Sequence, residues 1–274
     1  MSLEVDHVTK RFKIRKGFRS SELVAVNDVS FSIQPGQTVA LVGESGSGKS
    51  TIAKMILRLE QPTLGSIKID GIDSREGGMR NYRRLVQMVF QDPFASLNPY
   101  HSIGHHIERP LRLHKKVSSK QETRERVAEL LQRVNLDPDM ADRRPHELSG
   151  GQRQRVAIAR ALAPGARYLI ADEPVSMLDV SIRLSVLNLL ARLQREENLG
   201  VLYITHDLAT ARHFSDEIMV MYKGDVVERG ASDDVILNPQ HEYTKTLLDA
   251  APEPANHGKL RQEVRDEHLA SQAK

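Results

Sequence analysis

One stretch constrains this chain more than any other: Gly43 to Thr51, GESGSGKST, stands between the apolar run Thr38 to Val42 (TVALV) and the amphipathic segment IAKMILRL. A strand, a glycine-rich turn and a helix in that order make the G-x-x-x-x-G-K-[ST] pattern that wraps phosphate groups. The glycines, Gly43, Gly46 and Gly48, let the N–H groups of the loop curl around an anion; Glu44, Ser45, Ser47 and Thr51 complete the loop. The N-terminus of the following helix adds a positive dipole. Lys49 is placed to reach the β- and γ-phosphates of a nucleotide, and Ser50 to ligand Mg²⁺.

The rest of the chain reads as an α/β protein around that unit. Alternation in Leu3-Val5-His7 and in Val29-Phe31-Ile33 predicts a strand-rich start. Gly65 to Asp73 alternates again and carries an Asp-Gly turn, and Leu85 to Phe90 is a further apolar strand. From Pro93 to Glu147 the composition shifts to Arg, Glu, Lys and Gln, with helical segments such as Gln121 to Val134 bounded by Pro99, Pro110, Pro138 and Pro145. Tyr168 to Ala171 and Val201 to Thr205 are short apolar runs ending in polar residues, as buried parallel strands do, and their carboxyl ends should face a ligand. Ile218 to Tyr222, Lys223-Gly224-Asp225 and Val226 to Glu228 predict a hairpin. The expected fold is a P-loop NTPase core with a mostly parallel sheet, an N-terminal antiparallel β portion and an inserted helical subdomain.

Composition removes several classes. The chain has no cysteine, so it cannot ligate an iron–sulfur cluster, form a disulfide or offer a thiolate to a metal. The start, MSLEVDHVTK, lacks the apolar core of a signal peptide, and no run of about 18 apolar residues occurs, so neither export nor a membrane span is expected. A net charge of +3 spread over 39 basic and 36 acidic residues gives no argument for nucleic acid.

Two further motifs narrow the chemistry. Leu148 to Gln152, LSGGQ, precedes the helical pattern RQRVAIARALA, so Ser149 and the amides of Gly150 and Gly151 sit at a helix N-terminus where an anion is stabilised. Alone it could be no more than a helix cap. Tyr168 to Pro174, YLIADEP, ends a buried strand in two adjacent carboxylates; Asp172 is placed to hold Mg²⁺ through its water shell and Glu173 to polarise an attacking water.

With GESGSGKST, VFQDP, LSGGQRQR, YLIADEP, SMLD and YITHD in that order, the chain resembles the ABC transporter ATPases over nearly its whole length. The resemblance implies that Gln91 senses Mg²⁺ and the γ-phosphate, that Asp179 lies at a dimer contact and that His206 is the switch histidine. Phe12 looks like the aromatic that stacks on adenine, with Phe18 as its rival. Two such domains pair head to tail, so Ser149, Gly150, Gly151 and Gln152 would complete the ATP site of a second ATPase subunit. Residues 1–251 would form the nucleotide-binding domain, with 92–147 its helical insert and 231–251 the start of a C-terminal extension; 252–274 is a charged tail.

VFQDPFASLNP, RRPHELSGGQRQR and NPQHEYTKTLLDAAPEP look like the peptide and nickel importer branch, with Glu242 where the branch usually has proline. Some relatives hold an iron–sulfur cluster in this extension, which a cysteine-free chain cannot do. The branch implies a non-identical paralogue as second ATPase, two integral-membrane permeases and an extracytoplasmic solute-binding protein, with this chain peripheral on the cytoplasmic face of the inner membrane. The cargo would be di- or oligopeptides; nickel, sugar or opine-like solutes, an exporter, and a regulatory module without transport stay open. Only 57 residues separate Gln91 from Ser149, too few for the heptad arm of a chromosome-maintenance ATPase. Asp92 to Arg109 is the expected permease-docking segment, where Phe94, Leu97, Tyr100 and Ile103 either dock or pack the insert.

Overall fold

The computed structural model describes residues 2–16, 19–76 and 78–250. Its first sheet is antiparallel: β1 (Leu3–Lys16) lies between β2 (Arg19–Ile33) and β4 (Leu64–Ile69), with β5 (Ile72–Asp73) at the edge. Register puts Ile33, Leu3 and Ile69 in one row and Phe31, Val5 and Ile67 in the next, so one face is apolar throughout. The alternation does not run on to His7. A bulge between Val5 and Val8 turns His7 out to solvent at φ 49° and gives its inward place to Val8. The extra residue of a bulge reverses which side chains face the core, and Asp28 takes up the displaced ring, 2.7 Å from Nδ1.

The second sheet has the order β10-β9-β3-β8-β7-β6, formed by β3 (Thr38–Val42), β6 (Val86–Val89), β7 (Tyr168–Asp172), β8 (Gly200–Thr205), β9 (Glu217–Tyr222) and β10 (Asp225–Ala231). All pairs are parallel except β9 with β10. Because side chains alternate across a strand, β3, β7 and β8 each feed two cores. Ala40, Val42, Leu169, Ala171, Val201 and Tyr203 pack on one side, and Val39, Leu41, Tyr168, Ile170, Leu202 and Ile204 on the other.

The second of those cores is closed by α1 (Lys49–Ile56) and the antiparallel sheet. The first is closed by α6 (Gly150–Leu162), α7 (Val180–Glu196) and α8 (Leu208–Phe214), joined by α4 (Ile103–Leu113) and α5 (Lys120–Arg133) from the Arg/Glu-rich segment. Smaller elements are α2 (Met79–Leu85), α3 (Pro93–Ser96), two 3₁₀ turns at Pro138–Asp142 and Pro145–Glu147, α9 (Ser232–Leu237) and α10 (Glu242–Asp249). Pro110 does not bound a helix as expected but sits inside α4. The buried stripe Ile103, His106, Ile107 and Leu111 runs through it, so tertiary packing outweighs the lost backbone bond. Among the described residues no helix is long and apolar enough to cross a membrane.

Candidate nucleotide-binding site

Strands β3, β6, β7 and β8 run parallel, so their carboxyl ends share one edge of the sheet, where an open cleft of about 860 Å³ lies. The glycine loop from Gly43 to Gly48 bounds it on one side, with Ser45, Gly46 and Gly48 on its surface. Two glycines are required there by geometry: Gly43 has φ 155° and a Cβ would lie 2.2 Å from the Met221 carbonyl oxygen, while Gly48 has φ 114° and a Cβ would lie 2.4 Å from the Ala25 carbonyl oxygen. Gly48 is also the N-cap of α1, and no side chain caps that helix, so its first amides are left for a ligand. Lys49 Nζ donates to the carbonyls of Gly43 (2.6 Å) and Glu44 (2.8 Å). Burial pushes this ammonium's pKa down, and the carboxylates of Glu173, Asp172 and Glu44 oppose that shift. Ser45, Gly46, Gly48, Lys49, Ser50 and Thr51 line the cleft, whereas Gly43 and Glu44 border a neighbouring cavity of about 620 Å³.

The opposite wall is acidic. Asp172, the last residue of β7, has its carboxyl pushed above the usual range by burial and then by the Glu173 charge, with Lys49 and the Ser50 hydroxyl pulling the other way. Glu173 follows in the left-handed region at φ 45°, a conformation costing about 1–3 kcal/mol for a non-glycine residue. Its N–H donates to the Ile204 carbonyl at 2.8 Å, which ties the strained turn to β8. One carboxylate oxygen accepts from Gln91 Nε2 at 2.7 Å and the other lies 3.0 Å from His206 Nδ1. Three residues that are 82 and 33 positions apart in sequence thus meet at a single carboxylate.

Phe12, on β1, lines the same cleft with Lys10 Nζ 4.9 Å from its ring centroid. Phe18, its rival, lies outside the described residues. Four lining residues carry no motif: Leu23, Val24 and Ala25 of β2, and Lys223. The Lys223-Gly224 turn was legible as a hairpin. Its place over the phosphate loop, where Gly224 N–H donates to the Ser47 carbonyl at 2.9 Å, is a tertiary contact with no local signal.

Ser149, Gly150, Gly151, Gln152 and Asp179 do not line the cleft. Ser149 caps α6: its hydroxyl accepts from Gln152 N–H at 3.3 Å, and Gln152 Oε1 accepts from Ser149 N–H at 2.9 Å. Gly151 packs so tightly on α7 that a Cβ would lie 2.5 Å from Ile182 Cγ2. Asp179 is the N-cap of α7 with no side-chain cap bond, flanked by Met177 and Val180, which are 58% and 71% exposed. In the expected docking segment Leu97 and Ile103 are core residues, fully buried because α4 and α6 close over them, while Tyr100 is 83% exposed; the side chain of Phe94 lies outside the described set.

Comparison with known proteins agrees with this geometry. Residues 26–176 match the ABC transporter family and residues 227–273 the family described as the oligopeptide/dipeptide transporter C-terminal region. The chain is 46% identical to the oligopeptide transport ATP-binding protein AppF of Bacillus subtilis (strain 168), covering 95% of this chain and 81% of that one. It is 47% identical to the glutathione import ATP-binding protein GsiA of Pectobacterium atrosepticum over 91% of its own length but spans only 41% of that longer protein. The dimeric structure of a post-hydrolysis state of an ATP-binding cassette bound to ADP and Pi superimposes with a TM-score of 0.73 at 33% identity, over 84% of this chain and 98% of the other.

Proposed function

The chain belongs to the ABC transporter family, and from that premise we propose that it is the ATP-hydrolysing subunit of an importer of di- or oligopeptides or a related solute. The observation that carries the reading is the Glu173 carboxylate held between Gln91 and His206 beside a phosphate loop whose lysine and helix N-terminus face the same cleft. A general base, a charge to offset developing negative charge and a row of backbone donors are what in-line attack of water on a γ-phosphate needs.

Roles follow from position. The amides of the loop and Lys49 bind the phosphates, Phe12 stacks the base, and Glu173 accepts the proton of the attacking water while Gln91 and His206 hold its two oxygens in place. Mg²⁺ fits the donors present. Ser50, Gln91 and Asp172 offer hydroxyl, amide and carboxylate oxygens in the cleft, where burial and the Glu173 charge push the Asp172 carboxyl up and a cation would oppose that shift, and among the described residues no cluster of three histidine or acidic side chains would hold a metal alone. The remaining ligands would be phosphate oxygens and water, and the ion would neutralise charge on the β- and γ-phosphates.

Ser149 to Gln152 and Asp179 act in this reading on the nucleotide of a second ATPase subunit, because they lie outside their own chain's cleft. Residues 1–251 form the nucleotide-binding domain, 92–147 its helical insert and 231–251 the start of the C-terminal extension, with two permeases and a solute-binding protein completing the importer at the cytoplasmic face of the membrane. Glu173→Gln tests the reading. The variant should bind ATP as the wild type does and lose phosphate release by about 10²- to 10⁴-fold, the range of a general base; near-normal release by the assembled complex would remove Glu173 from the chemistry.

A further inference from the structure

The phosphate loop is held from outside by a residue of the late NPQHEYTKTLLDAAPEP stretch. Tyr243, in α10, places its phenol oxygen 3.0 Å from the backbone nitrogen of Glu44 and accepts that N–H. The carbonyl of the same residue accepts from Lys49 at 2.8 Å, so both polar groups of Glu44 are engaged, one by the loop's own lysine and one by a helix 199 residues away. Tyr243 is itself fixed on three sides. Its ring packs on Tyr222 with centroids 4.2 Å apart, and its N–H is capped by His241 Nδ1 at 3.1 Å. The segment before α10 is pinned to β10 by Glu228, whose two oxygens accept from the N–H groups of Gln240 (2.7 Å) and His241 (3.0 Å). Burial pushes the Tyr243 phenol up, so it stays neutral at physiological pH.

We propose that α10 is a strap that presets the phosphate loop, with Tyr243 as a positioning residue for nucleotide binding. The physical reason is entropy: Gly43, Gly46 and Gly48 all have positive φ and cost the loop conformational freedom when it is held in one shape. A hydrogen bond that fixes the peptide of Glu44 removes part of that cost before the nucleotide arrives, which is preorganisation of a binding site. Tyr243 touches none of the cleft-lining surface, so its effect passes through the loop. The proposal rests on the reading of the cleft as an ATP site.

Tyr243→Phe isolates the hydroxyl, since the ring can still pack on Tyr222. In the full chain the Kd for a fluorescent ATP analogue, and the KM for ATP in turnover, should rise about three- to tenfold, the worth of one neutral hydrogen bond, with kcat changing less than twofold. Amide exchange in the peptide containing Glu44 should quicken in the nucleotide-free chain, while the thermal midpoint stays within a degree or so of wild type. Tyr243→Ala, which also removes the ring, should raise the Kd further. Unchanged Kd, KM and exchange in Tyr243→Phe would overturn the strap alone. A wild type that fails to bind the analogue under the same conditions would overturn the ATP site and the strap with it.

Discussion

The cleft at the carboxyl edge of the parallel sheet and the face around the start of α6 both carry motif residues, yet they satisfy their polar groups in opposite ways. In the cleft, groups from distant segments have converged on one another: Glu173 takes Gln91 and His206, and Asp172, whose carboxyl burial and the Glu173 charge push up, lies where the Lys49 ammonium opposes that shift. On the other face the polar pairing is local. Ser149 and Gln152 cap each other within one helical turn, and the neighbours of Asp179 are exposed Met177 and Val180. Convergence of distant groups marks a site formed within the chain. Local satisfaction beside exposed apolar side chains fits a face that acts on something outside it.

The largest effect that can sharpen this contrast comes from Ser149→Asp. Aspartate is as good an N-cap as serine, so α6 keeps its start and the fold is preserved. It would set a negative charge where the proposed partner's phosphate lies. Turnover of the assembled ATPase should drop by about 10²-fold or more, comparable with losing a transition-state donor, while the isolated chain binds nucleotide with unchanged affinity. Loss of binding in the isolated chain would break the contrast, for it would place Ser149 in its own cleft.

Lys49→Ala is the mirror experiment. Removal of the ammonium strips a charge-assisted contact from the phosphates, and nucleotide affinity of the isolated chain should fall by roughly 10- to 100-fold. Equilibrium titration with a fluorescent ATP analogue measures it. Undiminished binding would mean that the loop is not the phosphate site.

How far each region could be read beforehand follows the same division. The strand-loop-helix around GESGSGKST, the carboxylates at the end of β7 and the cap at Ser149 are local patterns, because spacing within ten residues decides them. Phe12, which only the resemblance singles out, lies in the lining of the cleft. What sequence did not show is non-local. Leu23, Val24, Ala25 and Lys223 become a wall only when the hairpin turn at Lys223 docks on the phosphate loop, and Tyr243 reaches Glu44 only because β10 returns beside β9. The His7 bulge and the continuous helix at Pro110 are departures of another kind, in which tertiary packing overrides a local rule. Leu97 and Ile103 share the composition of Tyr100's neighbourhood, and burial alone separates them from it.

The smallest effect concerns stability. Asp172 is the cleft's unbalanced group: its folded carboxyl is raised by burial and by Glu173, so the fold prefers the protonated form. For a raised acid the sign is clear. The contribution is favourable below the unfolded value and is lost as pH rises through the folded one, so at neutral pH the ionised carboxylate works against folding. Asp172→Asn removes that penalty and should raise the thermal midpoint of the nucleotide-free chain by about 2 °C at pH 7, water in the open cleft keeping the gain small. The advantage should shrink as pH falls and wild-type Asp172 takes up its proton, which its raised carboxyl does before an ordinary aspartate would. Asp179→Asn, the same exchange on the other face, should leave the midpoint unchanged, because the Asp179 side chain makes no cap bond to α7 that could be lost and no buried like charge is relieved. Differential scanning calorimetry at pH 7 and pH 4.5 separates the two. Equal shifts for both variants would show that charge strain is spread over the molecule rather than stored where a cation is to bind.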